Sequence, residues 1–437
     1  MIHILGKELF ADRDVKISDR DLAGHVHVLG QSGMGKSTLI EQISLQRAWQ
    51  GRGFCFIDPH GQSAEHILDR IPAIRTKDVL YINPANDDYG IGLNLLEKPS
   101  NPNDRGVVAS EVMRMFHGLF ADSWGVRLEQ VLRNTILALL EQEQATLLSI
   151  RRMLVNDQYR AHVLRRVRNH VVLEYWRDEF GKYPERMIPE VIGSTLNKID
   201  PFISDDRMRR IVGQPHGRYN YKRGMESQQI IIANLSKSKI GTEQSKYLGS
   251  MLITKLVIEA RKREENEALE NVFPLIVDEV QNFGTDVLVE LIAEARKGGL
   301  ALVASHQYLD QFDRTTELLK KALMGGTQTK ILFQLGINDA KEYAQFLSTG
   351  KPQTDWTAAE LQNLGRYRAV LKSERQSKGF QTADCQTGLP GGRGGVVEGE
   401  SKATYGKRAV AIEASLDSFY SAYHCGYENE LHRHQYK

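Results

Sequence analysis

Hydrophobic positions along the chain fall into two patterns. Short, near-continuous runs of β-branched and aromatic residues, bounded by Gly, Pro or polar clusters, predict strands at 26–29, 54–57, 79–82, 230–234, 275–278, 300–305, 329–334 and 367–371. Runs without polar alternation belong to strands covered on both faces. Apolar positions at helical spacing over 37–49, 245–263 and 286–297 supply the crossovers of a largely parallel sheet. The class is α/β.

Between 94 and 224 the strand signal stops, and 104–119, 127–142 and 157–180 carry apolar residues at helical spacing. An inserted all-helical domain is expected there. After 371 the chain turns to Ser, Gln, Gly and Lys, and residues 388–395 hold five glycines and a proline, the composition of a linker. Apolar and aromatic residues return over 409–427, which reads as a terminal helix. The expected division is 1–95 and 225–372 for the two parts of the α/β domain, 96–224 for the helical insertion and 373–437 for linker and tail.

Composition narrows the function classes. The 437 residues are 41% hydrophobic and 26% charged, ordinary values for a globular chain, so fibrous and wholly disordered readings fall away. The longest apolar stretches, such as 136–140, are far below the roughly 18 residues that cross a bilayer, and the charged first thirty residues hold no signal-peptide core. A cytoplasmic protein without a membrane span is expected. Cys55, Cys385 and Cys425 are too few and too scattered for a disulfide framework. His424, His432 and His434 with Cys425 fit no compact ligand set, so no structural metal is expected. Net charge is +2, which leaves a nucleic-acid partner to be decided by local patches. One patch stands out: Arg151, Arg152, Arg160, Arg165, Arg166, Arg168, Arg177, Lys182 and Arg186 outnumber the nearby acids. It is either a solvated helix face or a phosphate-binding surface.

The chemistry begins at residue 30. Gly30, Gln31, Ser32, Gly33, Met34, Gly35, Lys36 and Ser37, followed by Thr38, match G-x-x-x-x-G-K-[ST] between an expected strand and an expected helix. The glycines let successive N–H groups and the helix N-terminus converge on a phosphate chain. Lys36 would hold the β- and γ-phosphates, and Ser37 would ligate Mg²⁺. A bound metal calls for a carboxylate from a second strand, and V-F-P-L-I-V-D-E at 272–279 offers one. Asp278 is the metal partner and Glu279 the base for an attacking water, although acidic pairs also end strands as simple turn residues. Hydrolysis of a nucleoside triphosphate follows as the expected reaction. Gln307, just past the strand 300–305, is placed to sense a γ-phosphate or simply to turn the chain. Arg296 either neutralises a helix C-terminus or reaches a neighbouring subunit's nucleotide.

Together these residues resemble the FtsK/HerA superfamily of P-loop ATPases, and more closely the soluble motor region of conjugative type IV secretion coupling proteins. The likeness spans 24–371. It includes F-C-F-I-D-P-H-G at 54–61, W-G-V-R-L-E-Q-V-L-R-N-T-I-L-A-L-L-E at 124–141, N-L-S-K-S-K-I-G-T-E-Q-S-K-Y-L-G at 234–249 and G-T-Q-T-K-I-L-F-Q-L-G-I-N-D-A at 326–340. The resemblance implies a RecA-like motor with an inserted helical domain that uses ATP and Mg²⁺ and works as a homo-hexamer drawing DNA through its channel. It also implies that Arg296 acts in trans, that Gln307 is a polar sensor, and that a relaxase or secretion channel is a partner, with the protein peripheral to a membrane complex. Asp58 falls in the second-strand motif, as a turn former or a nucleotide contact. Lys237 and Lys239 are candidate DNA contacts beside a solvated-surface reading.

The chain also departs from its relatives. The transmembrane helices of coupling proteins and the β-rich domain of HerA-type motors both precede the phosphate loop, which here begins at residue 30, and Gln334 stands where many relatives have Arg. The expected function is DNA translocation in conjugative or mobile-element transfer. The alternatives are a DNA-processing or packaging motor paired with a nuclease or capsid, and a nucleotide-dependent docking module for protein or nucleoprotein cargo.

Overall fold

The continuous apolar runs all lie in one sheet of eleven strands. The strands of the chain are β1 (Ile2–Glu8), β2 (Asp14–Ser18), β3 (Val26–Leu29), β4 (Phe54–Asp58), β5 (Val79–Ile82), β6 (Tyr89–Gly90), β7 (Ile230–Asn234), β8 (Phe273–Val277), β9 (Leu300–His306), β10 (Thr329–Leu332), β11 (Arg368–Lys372), β12 (Ser377–Thr382) and β13 (Lys407–Arg408). The computed structural model describes residues 1–9, 11–263, 270–283, 285–294, 298–312, 316–348, 355–374, 376–382 and 389–422.

In the sheet, β10, β3, β9, β8, β4, β7 and β5 run parallel, and β11, β12, β1 and β2 extend it antiparallel from β10. The parallel strands are buried along their length because both faces are covered. Val26 and Val28 of β3 pack in one apolar layer with Leu39, Ile40 and Ile43 of the helix Lys36–Trp49. Leu29, Leu332 and Val370 form the other layer with Tyr343 and Leu347 of the helix Ile337–Leu347.

Four elements lie where the sequence pattern marked none, two within 1–25 and two within 373–405. β1 and β2 alternate buried and exposed residues, since one face is solvated, so no continuous apolar run marks them. β12, with Phe380 its one fully buried side chain, lies between β11 and β1, and the helix Gly394–Tyr405 buries Val397 in the main core. The stretch expected as a linker is thus partly framework. Asp69 anchors its glycine-rich start by accepting from the N–H groups of Gly392 (2.9 Å) and Gly394 (3.2 Å).

The chain divides into two compact units: residues 1–83, 117–122 and 219–403, and residues 84–116, 123–218 and 404 onward. Among its described residues the second is helical apart from the pairing of β6 with β13. In its helix Val126–Leu139, Leu128, Val131, Leu132, Thr135, Ile136 and Leu139 line one buried face at helical spacing. The terminal helix expected over 409–427 is present as Ala409–Ser421. The helical spacing over 157–180 is carried by more than one helix, with a break after Leu164. The Glu141 carboxylate takes the N–H groups of Arg168 (3.1 Å) and Asn169 (3.2 Å), and Asn169 then caps the next helix, His170–Glu174. Among the described residues no helix is long and apolar enough to cross a membrane.

Candidate active site

Parallel strands end at one edge of a sheet, and loops leaving that edge meet there. Here β3 delivers the glycine loop, β8 delivers Asp278 and Glu279, and β9 delivers Gln307. β11 runs antiparallel, so its start lies at the same edge and adds Arg366 and Tyr367. A cavity of 280 Å³ is lined by Ser32, Gly33, Gly35, Lys36, Ser37, Thr38, His60, Asp278, Glu279, Gln307, Arg366 and Tyr367.

The loop holds its shape through residues behind this lining. The N–H of Gln31 donates to the Gln334 carbonyl (2.9 Å), that of Tyr367 to the Met34 carbonyl (2.9 Å), and Met34 packs on the main core. Gly30 and Gln31 contribute carbonyls that accept from Lys36 Nζ at 2.6 and 3.2 Å. Gly35 adopts φ 117°, and a Cβ there would stand 2.8 Å from the Tyr367 ring, so only glycine fits. It is also the N-cap of the helix Lys36–Trp49 and makes no side-chain cap bond, which leaves the first-turn amides facing the cavity.

The acidic turn is tightly built. Glu279 sits at φ 48°, ψ 56°, a left-handed conformation that is uncommon outside glycine and costs on the order of 1 kcal/mol. Its Oε1 accepts from Gln307 Nε2 and its Oε2 from Gln281 Nε2, each at 2.7 Å. Its carbonyl accepts from Asn282 Nδ2 (2.8 Å), and Lys237 Nζ donates to Asn282 Oδ1 (2.8 Å). Lys237, read as a DNA contact, is thus half-buried behind the turn, while Lys239 pairs with Glu65 at 2.8 Å. Burial pushes the Asp278 carboxyl up to about 6, and the negative charges of Glu279 and Asp58 add to this. Burial lowers the Lys36 ammonium, against the pull of Glu279 and Asp278.

Asp58 resolves as a turn former: its oxygens accept from the N–H groups of His60 (2.7 Å) and Ala64 (2.9 Å). Like His60 and Tyr367, Arg366 is a lining residue that the sequence reading missed. Its Nε donates to the Gly33 carbonyl (3.2 Å) and its guanidinium lies 4.9 Å from the Tyr367 ring centre. Only the position of G-R-Y at the start of an antiparallel edge could have flagged it. Arg296, Cys385, Cys425, His424, His432 and His434 lie outside the described residues.

The donor set suits a polyphosphate with a hard divalent cation: backbone amides at a helix N-terminus, an ammonium, the Ser37 hydroxyl and carboxylate oxygens.

In the helical unit the basic run sorts into paired and unpaired residues. Arg151 bonds both oxygens of Asp200 (2.7 and 2.8 Å), Arg152 lies 4.5 Å from the Phe419 ring centre, Arg160 pairs with Asp157, and Lys182 with Asp178 (3.3 Å). Arg165, Arg166 and Arg168 have no carboxylate partner among the described residues. They line a 940 Å³ cavity whose own acids are engaged, Glu141 by Arg105 (3.3 Å) and the two backbone N–H groups, Glu143 by Lys98 (2.5 Å).

No family model and no curated protein matches the chain. Solved structures do. The plasmid coupling protein TrwB in complex with ADP and Mg²⁺ aligns with a TM-score of 0.63 at 16% identity over 84% of this chain and 87% of that one. Its complex with a non-hydrolysable ATP analogue gives 0.62 at 17% identity, over 84% and 87%. VirB4 of Thermoanaerobacter pseudethanolicus gives 0.53 at 14% identity, over 87% and 96%. The chain has the RecA-like P-loop NTPase fold of these structures, and the resemblance read from its motifs is borne out at the level of fold.

Proposed function

We propose that the chain is an ATPase whose hydrolysis moves DNA through a ring in conjugative or mobile-element transfer. The observation that carries this reading is the meeting of Lys36, Asp278, Glu279 and Gln307, which come from three separate strand ends, on one cavity. The glycine-loop amides and Lys36 bind the phosphate chain, with Arg366 adding positive charge at its rim. Ser37 and Asp278 hold Mg²⁺, which when bound offsets charge on the β- and γ-phosphates. Glu279, fixed by two amide donors, keeps a lone pair on each oxygen to take a proton from water. Gln307 bridges the base to the phosphate side and registers loss of the γ-phosphate. Arg296 acts on a neighbouring subunit's nucleotide in a homo-hexamer.

The DNA part of the reading is supported by the likeness to solved coupling proteins of plasmid conjugation and by Arg165, Arg166 and Arg168, which line one cavity of the helical unit without carboxylate partners among the described residues. Sequence-independent phosphate contacts require such cations.

The test is ATP turnover measured with and without single- and double-stranded DNA across a salt series. Lys36→Ala loses nucleotide binding. Glu279→Gln keeps binding and loses turnover by about a hundredfold or more. Changing Arg165, Arg166 and Arg168 together to Ala leaves DNA-independent turnover intact and, for single strands, flattens the slope of log affinity against log salt by about 2. Turnover at the parental rate in Glu279→Gln sinks the base assignment; an unchanged salt slope sinks the DNA contact.

A further inference from the structure

Two histidines lie in the apolar layer on the sheet face opposite the helix Lys36–Trp49, and the reaction above uses neither. His27 is on β3, three residues before the glycine loop; His306 ends β9, directly before Gln307. Both are 0% exposed. Parallel pairing sets Leu29 opposite His306, so His27, Leu29 and His306 share one face. The histidine Nε2 atoms approach to 2.5 Å with ring planes 20° apart. The Tyr343 hydroxyl, from the helix Ile337–Leu347, lies 2.9 Å from His27 Nδ1, and the Tyr308 carbonyl oxygen lies 3.2 Å from His306 Nδ1.

The direction of this chain follows from its fixed end. A carbonyl oxygen only accepts, so His306 Nδ1 carries a hydrogen. A neutral imidazole has one N–H, so His306 Nε2 is an acceptor and His27 Nε2 is the donor to it. His27 Nδ1 then accepts, and Tyr343 donates. Neutrality of both rings is enforced by their surroundings. Burial holds His27 well below its ordinary value, with Lys330 acting in the same sense. Burial takes His306 down to about 3 against the opposing Tyr308 carbonyl, with Lys36 and Lys320 adding to the lowering. Proton positions are therefore set from Tyr343 through to the backbone beside Gln307. Phe312, 4.8 Å from His306 between ring centres, closes the layer on the sensor side.

We infer that His27, His306 and Tyr343 are positioning residues for Gln307, tying the sensor segment by a one-way hydrogen-bond chain to the strand that carries the glycine loop and to the helix Ile337–Leu347. The chain lies beneath the site and does not touch the nucleotide. It fixes where the Gln307 amide sits relative to Glu279 and the phosphates. This rests on the reading of Gln307 as the sensor, so the test separates the two.

ATP turnover of the full chain is measured for Gln307→Ala, Tyr343→Phe and the double variant. ¹⁵N-histidine spectra are recorded at pH 7, with His27→Gln and His306→Gln assigning the signals. The expected spectra show His27 protonated on Nε2 and His306 on Nδ1, both neutral. Tyr343→Phe lowers kcat roughly threefold to tenfold at unchanged KM for ATP, and adds nothing in the Gln307→Ala background. His27→Gln, which keeps a donor where Nε2 stood, retains more turnover than His27→Leu, and this pair carries the test should Tyr343→Phe fail to fold. Parental kcat in Tyr343→Phe, full additivity with Gln307→Ala, or reversed tautomers overturn the positioning chain and leave Gln307's role standing. Parental kcat in Gln307→Ala overturns the sensor reading itself, and the chain with it.

Discussion

Glu279 and Glu41 are buried carboxylic acids in the same unit, used in opposite ways. Glu279 is held by two side-chain amides on a left-handed residue, a local strain that surrounding bonds sustain where chemistry is expected. Glu41, on the helix Lys36–Trp49, is 4% exposed, and burial raises its carboxyl to about 7, with Asp58 and Asp278 pushing the same way. A hydrogen bond from the Ser63 hydroxyl and the Arg70 charge oppose this. The folded chain keeps the Glu41 proton where the unfolded chain has lost it, so the fold binds more protons between pH 4.5 and about 7. Stability from this group is complete below pH 4.5 and falls as the pH rises through about 7, a loss of roughly 3 kcal/mol in all. Glu41→Gln is expected to remove that decline and raise stability at pH 8 relative to the parent. Urea unfolding at pH 5 and pH 8 checks it; parallel pH curves for the two proteins count against it.

Elements are held in register by single buried groups as much as by their own hydrogen-bond ladders. Arg47 is fully buried and joins three of them. Its Nη1 donates to Asp19 (2.7 Å), Nε to the Gly53 carbonyl before β4 (3.0 Å), and Nη2 to the Val272 carbonyl before β8 (2.9 Å). Asp19 in turn takes His3 Nε2 of β1 at 2.8 Å. Arg47→Met takes the guanidinium from the half-buried Asp19, which keeps its contact with His3, and from two buried carbonyls, a cost of about 3 to 5 kcal/mol. The double variant Arg47→Met with Asp19→Asn is expected to regain part of that loss, because the carboxylate charge that has lost its guanidinium is gone. Denaturant midpoints decide, and equal losses in single and double variants contradict the account. The element boundaries show why sequence patterns reach only so far. The parallel strands were legible because burial on both faces writes a continuous apolar run. β1, β2 and β12 were not, since one face is wet or one Phe380 supplies the apolar content. The break after Leu164 depends on Glu141, more than twenty residues earlier, and no local signal carries it.

At the scale of the molecule, β12 completes the sheet. It pairs with β1 on one side and β11 on the other, so within the sheet the β1–β2 hairpin is joined through it. Ending the chain after residue 372 exposes two strand edges and removes Val397 from the core. Such a chain is expected to be insoluble or to aggregate on purification, and size-exclusion profiles beside the full chain test this. A monodisperse, ATP-binding product refutes the role given to β12.

The amino-acid order alone determined the phosphate loop, because eight contiguous residues specify a local backbone shape, and the parallel core, because burial on both faces leaves a pattern on each strand. It also placed Asp278, Glu279 and Gln307 at strand ends, where topology brings them together. Tertiary structure decided the rest. Arg366 reaches the cavity because β11 runs antiparallel, Asp58 is spent on backbone N–H groups, and Arg165, Arg166 and Arg168 of the basic run converge on one cavity. His27, His306 and Tyr343 meet across as many as 316 positions of chain. Such contacts depend on which distant groups share one small, dry volume, and that is settled when the layers pack.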